Sequence, residues 1–264
     1  MLPSSGWAWT WSFVRIATAI LGVAAIIAQL VRSVSNANAA GSGPASDVAT
    51  VVTNFLSFFT IQSNLAAALT LAFGAIWFWT RGRRTQDAEP RAFAIVLVCV
   101  TTYMLITGIV YNLLLRTIAL APGETVPWSN ECLHVVIPTI MLLDLLFAPR
   151  RRRLPWRIVP VVLAFPAAWI VYTMVRAPFI TNPGSGASYW YPYPFLDPYG
   201  DGGWASVIAY IVAIALATLA IGYIAVGVGH WRAHRAPVPG NATGDAEGGA
   251  AGPSPRSRRS GAAR

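Results

Sequence analysis

The chain has 264 residues, of which 55% are hydrophobic and only 11% are charged, against roughly 25% charged residues in an average soluble protein. This excludes a cytosolic enzyme, a secreted disulfide scaffold and a disordered regulator, because a soluble domain of this size has no way to hide so much apolar surface. The net charge of +9 comes from arginine alone, since all 19 basic residues are arginines, and their clustering between apolar runs is typical of topology signals and argues against a nucleic-acid partner.

Six apolar runs approach or exceed the roughly 20 residues that a helix needs to cross a bilayer. In chain order they cover residues 13–31, 54–79, 92–115, 131–148, 158–175 and 204–229. A backbone in lipid has no water to bond with, so each run is predicted to be a helix and not an open strand. The sequence therefore predicts an all-α, polytopic membrane protein with six transmembrane helices in one domain, residues 1–235.

The distribution of arginine predicts the orientation of this domain. Sixteen of the 19 arginines lie at the start of the first run, after the second and fourth runs and in the C-terminal segment, whereas Arg32, Arg116 and Arg176 lie on the other side. Arginine accumulates on the cytoplasmic side of a membrane, so both termini are predicted to be cytoplasmic. The expected location is the plasma membrane. The use of arginine without lysine, together with many Ala, Gly and Pro residues, suggests a GC-rich bacterial genome. Segment 236–264 is rich in Gly, Ala, Pro, Ser and Arg and is predicted to be a disordered basic tail.

Tryptophan positions agree with these runs. Ten of the 11 tryptophans lie outside the runs or at their ends, where indole prefers the headgroup region, and only Trp169 is in the middle of a run. Ala37-Asn38-Ala39, after the first run, is similar to a signal-peptidase site. Because the first arginine is Arg15 and Arg32 interrupts the approach to that site, we expect the first helix to stay uncleaved.

Polar side chains inside the runs are the first candidates for function, since such groups in lipid are costly. Ser57, Thr60 and Asn64 in the second run have the spacing of one helical face. The third run contributes Asn112 near its outer end. Intramembrane Ser, Thr and Asn also serve commonly as packing groups or interhelical hydrogen-bond groups, and that interpretation stays open here.

The fourth run adds Glu131 and His134, whose spacing lets them face each other on one helix. Pro138 lacks the N–H that would bond the carbonyl of His134, so we expect a bend there and a carbonyl that needs another polar partner. At 1.5 Å per residue, Thr60, Asn112, Glu131 and His134 all fall within about 10 Å of the outer boundary. We therefore expect these groups to converge on one outward-facing pocket.

The long loop between the fifth and sixth runs is predicted to lie on the same side as this pocket. It contains the motif WYPYPFLDP at 190–198, whose prolines stiffen the backbone and whose aromatic rings suit acyl chains or the membrane interface. As a lid or substrate-binding segment it would act through five side chains: Trp190, Tyr191, Tyr193, Phe195 and Asp197. A segment of the interfacial aromatic belt is the other interpretation.

Three motifs in this order resemble the bacterial branch of the androgen-induced membrane protein family: FFTIQSN at 58–64, NECLHVVIP at 130–138 and WYPYPFLDP at 190–198. The resemblance extends over the six-helix region, about residues 10–230. It implies kinship with threonine-dependent membrane hydrolases that cleave fatty acid esters of hydroxy fatty acids. Carried over by position, it implies Thr60 as the nucleophile and His134 as the base.

The residues themselves suggest how such a pair would be supported. A threonine hydroxyl needs a base to remove its proton, and a neutral imidazole serves that purpose near neutral pH. Glu131 is the candidate that orients His134, and Asn112 or Asn64 is the candidate donor to the oxyanion. The expected partners are membrane lipids and an acyl-ester substrate. No cofactor is expected, and the oligomeric state stays open.

Other chemistry has weaker support in the sequence. A zinc site from His134, Glu131 and Cys132 has poor facial geometry, and a bis-histidine haem site is disfavoured because only one histidine lies inside a run. Arg15 and Asp144 are expected at similar depth, where they would form a structural ion pair. The competing class is a non-enzymatic transporter or lipid-binding protein, although a transporter usually has broken helices and charges near the midplane.

Overall fold

The computed structural model of the protein describes residues 5–85, 87–118 and 123–235. Within these ranges every regular element is helical, and six helices are long and apolar enough to cross a membrane. This confirms the predicted all-α architecture with six spans, which is that of a multi-pass membrane protein. The predicted tail, 236–264, lies outside the described residues.

Seven helices follow one another within the described residues, and six of them correspond to the predicted runs. Their bounds are α1, Ser5–Ala39; α2, Val48–Ser57; α3, Phe59–Trp77 with a π turn at Phe78–Gly82; α4, Arg91–Val110 with a π turn at Tyr111–Leu115; α5, Pro127–Glu131, Cys132–Val136 (a π turn) and Ile137–Phe147; α6, Trp156–Leu163 (a 3₁₀ segment) and Ala164–Arg176; and α7, Gly203–Arg235.

We predicted one helix over the whole second run, and this is wrong. The chain is interrupted at Phe58. This residue has an extended backbone, φ −65° and ψ 131°, between α2 and α3. The break is held from the side, since Trp169 Nε1 donates to the Ser57 carbonyl at 2.9 Å. Ser57 therefore does not share a helical face with Thr60 and Asn64, and its hydroxyl donates instead to Thr53 on α2.

The most buried of the six long helices is α4. It packs against α3, α5, α6 and α7, while α1 packs along α3. A helix that is apolar on all sides belongs in the middle of a bundle, and between Arg91 and Arg116 this one has no charged residue. Large apolar side chains cover the outside instead, for example Leu69, Leu113 and Leu216, each more than 60% exposed. Such a surface suits lipid better than water.

The bundle has two different ends. At the end that we call the basic end, α1 begins, α3, α5 and α7 finish, and Arg150 to Arg153 lie between α5 and α6. At the other, the loop end, α3, α5 and α7 begin, and α2 and the 177–202 loop lie at this end too. The candidate site described below is at the loop end.

Four charged side chains are buried together at the basic end. The predicted pair is present, with Arg15 Nε 2.7 Å from Asp144 Oδ1. Glu89 Oε1 accepts from Arg15 at 2.8 Å, and Arg151 donates to Asp144. Trp11 Nε1 also donates to Asp144. The sequence did not indicate Glu89 or Arg151 as partners, because both lie in connecting segments outside the apolar runs.

Candidate active site

Thr60 lies at the start of α3, where the chain turns from extended backbone into helix. The first N–H groups of a helix have no helical acceptor, and the Thr60 N–H donates to Tyr193 Oη at 3.2 Å. The Thr60 side chain is buried, with 7% of the residue exposed. The break at Phe58 thus places a hydroxyl and a backbone N–H side by side at a buried helix start.

His134 lies in the π turn of α5, which ends just before Pro138. In a π turn the N–H of residue i+5 bonds the carbonyl of residue i, and the Ile137 N–H closes this turn in that way. The next carbonyl in this register is that of Leu133, whose partner would be Pro138, which has no N–H. We expected Pro138 to leave the carbonyl of His134 without its helical partner. In the π register the carbonyl that lacks this partner is that of Leu133.

Asn64 provides the missing donor. Its Nδ2 atom donates to the Leu133 carbonyl at 3.1 Å and to the Thr60 carbonyl at 2.9 Å, and the residue is fully buried. Asn64 therefore connects the turn that carries Thr60 to the turn that carries His134. Both of its N–H donors are engaged by backbone, so the structure gives it a positioning contact and not the oxyanion contact that we expected.

Thr60 and His134, which are 74 residues apart in the chain, are in hydrogen-bond contact. Thr60 Oγ1 lies 3.2 Å from His134 Nε2. The other ring nitrogen, Nδ1, lies 2.9 Å from the carbonyl of Asn130. A carbonyl oxygen only accepts, so Nδ1 carries the proton, and in the neutral ring Nε2 accepts from the threonine hydroxyl. The Tyr111 ring stacks on the imidazole at a centroid distance of 4.0 Å and fixes its plane.

Tyr193, from the 177–202 loop, reaches the same hydroxyl. Its Oη atom lies 3.3 Å from Thr60 Oγ1. The Tyr193 ring packs between Phe58 and Trp169, with centroid distances of 5.7 Å and 5.9 Å, and the nearby Leu196 is 1% exposed. The loop is therefore packed into the bundle at this point. Burial raises the pKa of Tyr193 above its ordinary value of about 10, so the phenol stays protonated at neutral pH.

The other residues of the predicted lid have different surroundings. Phe195 stacks on Tyr193 at 5.2 Å and lines the cavity described below. Trp190 packs edge-on against the ring of Phe58. Tyr191 is partly buried against the apolar cluster that contains Tyr193 and Leu196. Asp197 accepts from the backbone N–H two residues later, as in a turn. The loop thus brings Tyr193 and Phe195 to the site, whereas Asp197 shapes the loop itself.

Glu131 and Asn112 do not contact the Thr60–His134 pair. The Glu131 carboxylate pairs with Arg116 at 2.8 Å, and both side chains are more than 40% exposed. Asn112 Nδ2 donates to the carbonyl one turn earlier, and its Oδ1 accepts from Arg116. Asn112 therefore lines a shallow surface groove beside His134 and not the cavity next to Thr60.

A cavity of about 210 Å³ opens beside the pair. Thr60, Tyr111 and Tyr193 lie in its wall, and from there it extends between α4, α6 and α7 as far as Tyr103 and Thr218. On α4 the lining runs from residue 103 to residue 115, roughly 18 Å along the helix axis. The Thr218 hydroxyl is already bonded within its own helix, at 2.7 Å. The cavity thus offers an apolar channel with the Thr60 hydroxyl in its wall at the loop end, while His134 lines the neighbouring surface groove.

The site carries no charge of its own when the imidazole is neutral. Thr60, Tyr193 and the Asn130 carbonyl contribute only dipoles, and the nearest ion pair is the exposed one between Arg116 and Glu131. Among the described residues, no three His, Cys, Asp or Glu side chains gather closely enough to hold a metal ion. The arrangement suits proton transfer between neutral groups.

Two contributors to this site were not identified from the sequence. The carbonyl of Asn130 orients the imidazole, and backbone atoms leave no signal in a residue pattern. Trp169 forms part of the cavity wall and holds the break at Phe58; its position in the middle of a run, unlike every other tryptophan, was the available signal. Comparison of the chain with family models, curated proteins and solved structures finds no match. Its function is therefore proposed from the site and from the sequence resemblance alone.

Proposed function

We propose that the chain is a membrane hydrolase that cleaves carboxylic esters of lipids, with Thr60 as nucleophile and His134 as general base. The observation that carries this proposal is the 3.2 Å contact between His134 Nε2 and Thr60 Oγ1, a hydroxyl in the wall of an apolar cavity. A nucleophile and base within hydrogen-bond reach, with the base oriented by a third group, is the arrangement that activates hydroxyls in hydrolases. The resemblance to threonine-dependent membrane hydrolases assigns the same two residues.

In the first half of the reaction, Thr60 Oγ1 attacks the ester carbonyl carbon while its proton moves to His134 Nε2. The π electrons of the carbonyl move onto its oxygen, which becomes an oxyanion. The Asn130 carbonyl holds the Nδ1 proton and so stabilises the imidazolium that forms. When the intermediate collapses, the bond to the alcohol oxygen breaks and the alcohol takes the Nε2 proton. The acyl group is then left on Thr60.

In the second half, water takes the place of the alcohol. His134 removes a proton from the water, the hydroxide oxygen bonds to the acyl carbon, and Thr60 Oγ1 recovers its proton as the acid leaves. The cavity suits the acyl chain, because its far wall lies deep between α6 and α7 and its lining is mainly aliphatic and aromatic. The hydrolysed bond would lie near the loop end, where water arrives.

The proposal also includes a location, the plasma membrane of a bacterium, with the site near the outer leaflet. Its support is the arginine distribution: Arg81, Arg150 to Arg153 and Arg232 gather at the basic end, opposite the site. By the positive-inside rule, that end faces the cytoplasm together with both termini. Protease accessibility of tags at the two termini, in sealed vesicles of known orientation, tests this arrangement.

The apolar cavity by itself also suits a lipid-binding protein without catalysis. The two functions differ at one atom, because a hydrolase forms a covalent adduct at Thr60 Oγ1 and a binding protein does not. A fluorescent fluorophosphonate applied to purified protein in detergent therefore separates them. We expect an adduct on Thr60, located by mass spectrometry.

Three variants sharpen this experiment. Thr60→Ala removes the nucleophile and His134→Ala removes the base, so both are expected to abolish labelling. Thr53→Ala is the matched control, because Thr53 is an exposed threonine on α2 whose hydroxyl bonds only to its own helix. It should label like the wild type. Folded wild-type protein that stays unlabelled, and that hydrolyses no p-nitrophenyl acyl ester, would overturn the proposed function in favour of lipid binding.

A further inference from the structure

The hydrogen bonds around Thr60 have only one consistent set of directions. His134 Nδ1–H is committed to the Asn130 carbonyl, so Nε2 must accept, and its donor is the Thr60 hydroxyl. That hydroxyl has one proton, so the remaining contact of Oγ1, to Tyr193 Oη at 3.3 Å, requires Tyr193 to donate. Tyr193 Oη in turn accepts from the Thr60 N–H at 3.2 Å. The phenol therefore donates to the very oxygen that would act as nucleophile.

This direction matters once Oγ1 attacks a carbonyl carbon. Oγ1 becomes the singly bonded oxygen of the tetrahedral intermediate, which keeps two lone pairs but is a weaker acceptor than the oxyanion, so the Tyr193 proton can turn toward the charge. Negative charge builds at the same moment on the carbonyl oxygen, which is bonded to the carbon that Oγ1 has just joined. The charge thus develops within reach of the two donors that surround Oγ1, the Tyr193 hydroxyl and the Thr60 N–H. Each donor keeps its own proton throughout.

The two asparagines that the sequence offers as oxyanion donors are engaged elsewhere. Asn64 gives both amide protons to backbone carbonyls, and Asn112 is engaged on its own helix. Tyr193 is held in place by packing, with 8% of the residue exposed and its ring stacked on Phe195 at 5.2 Å. Burial keeps the phenol protonated, since the pKa of Tyr193 is raised. A donor that is fixed in place beforehand stabilises a transition state without reorganisation.

We infer that Tyr193 is a catalytic residue whose hydroxyl, together with the Thr60 N–H, binds the oxyanion formed when Thr60 attacks an ester. This inference rests on the proposed hydrolase function. The 177–202 loop then supplies part of the catalytic machinery in addition to a wall of the cavity. A loop that shifts away from Thr60 would switch off chemistry even with the Thr60–His134 contact intact.

The experiment is the hydrolysis kinetics of Tyr193→Phe with a p-nitrophenyl acyl ester. Phenylalanine keeps the packed ring and removes only the hydroxyl. Loss of one oxyanion donor lowers kcat by about 10²- to 10³-fold, and we expect KM to stay close to the wild-type value. Tyr199→Phe is the matched control, because Tyr199 belongs to the same loop but is exposed and lies outside the cavity lining. It should keep wild-type kcat.

A second readout separates chemistry from structure. Difluorotyrosine at position 193 acidifies the phenol, so the alkaline limb of the kcat profile should move to lower pH, and the same substitution at position 199 should leave it in place. Tyr193→Phe with wild-type kcat, or an alkaline limb that does not respond to fluorination, would overturn the inference while leaving the hydrolase proposal intact. Wild-type protein without hydrolysis overturns the proposed function itself, so the two failures are distinguishable.

Discussion

At the basic end of the bundle, Arg15, Glu89, Asp144 and Arg151 are buried as ions that pair with one another. At the loop end, the buried Thr60 and Tyr193 and the half-buried His134 form a chain of hydrogen bonds without a formal charge. The two clusters lie in the same bundle, and each joins elements that are far apart in sequence. They differ in the space beside them. Arg15 and Glu89 border a void of about 20 Å³, whereas Thr60 borders a cavity of about 210 Å³.

This difference is why we assign the proposed chemistry to the loop-end cluster and a structural role to the basic-end cluster. The carboxylate of Asp144 is held by Arg15, Arg151 and Trp11 together, so no substrate has room to enter and no partner is free to leave. The Thr60 hydroxyl instead faces an open cavity, and its two side-chain partners are neutral groups that can exchange or redirect a proton. Buried charge by itself is therefore a poor guide to function in this protein. A polar pair with adjacent space is a better one.

The largest effect on stability should come from the basic-end cluster. Asp144→Ala leaves Arg15 and Arg151 buried without their shared partner, and removal of one member of a buried ion pair costs about 3–5 kcal/mol. We expect a large drop in the thermal unfolding midpoint in detergent, with the fraction that stays folded still labelled at Thr60.

The matched control for this variant is Thr60→Ala, which should abolish labelling and lower the unfolding free energy by about 1–3 kcal/mol, since it leaves the buried Tyr193 hydroxyl without its acceptor but leaves no ion unpaired. The comparison fails if folded Asp144→Ala protein no longer labels at Thr60. That result would mean that the ion pairs control the geometry of the site from the opposite end of the bundle.

The spans and the central pair of this protein could be predicted from the sequence. The apolar runs that became α1, α4 and α7 are too long to be anything but spans. His134 stood out as the only histidine inside a predicted apolar run, and the sequence resemblance drew attention to Thr60. Depth counting placed both near one boundary, and the structure brings them within 3.2 Å. Depth can be estimated from residue number here because the rise per residue of a helix is nearly constant.

What the sequence did not predict depends on backbone irregularity. The break at Phe58 separates Ser57 from Thr60, and a hydropathy run does not record it, because Phe58 is as apolar as its neighbours. The π turn before Pro138 shifts the unpaired carbonyl by one residue, which helical counting in steps of 3.6 residues misses. The contact between Tyr193 and Thr60 spans 133 residues and depends on how an irregular loop packs. No periodic pattern encodes such a contact.

A middle-sized effect is expected at Asn64, which links the two turns of the site. Asn64→Ala leaves the Leu133 carbonyl without a donor, and an unpaired buried polar group costs about 1–3 kcal/mol. Pro138→Ala restores an N–H at the position that the π register calls for. In that background Asn64→Ala should cost about 1 kcal/mol less, a coupling that a double-mutant cycle of unfolding free energies measures. Strictly additive losses would show that Asn64 stabilises the protein by packing alone.

The smallest effect should come from Glu131, although the sequence suggested that it orients His134. Its carboxylate pairs with Arg116 at the surface, where both side chains are more than 40% exposed, and such pairs contribute little. Glu131→Gln should change stability by less than about 0.5 kcal/mol and the hydrolysis rate by less than about twofold, and Arg116→Gln is the matched control. A loss of kcat of tenfold or more in Glu131→Gln alone would mean that the carboxylate stabilises the imidazolium through space. The loop-end site would then depend on a charge, as the basic-end cluster does, and the neutral hydrogen-bond chain would be only part of its chemistry.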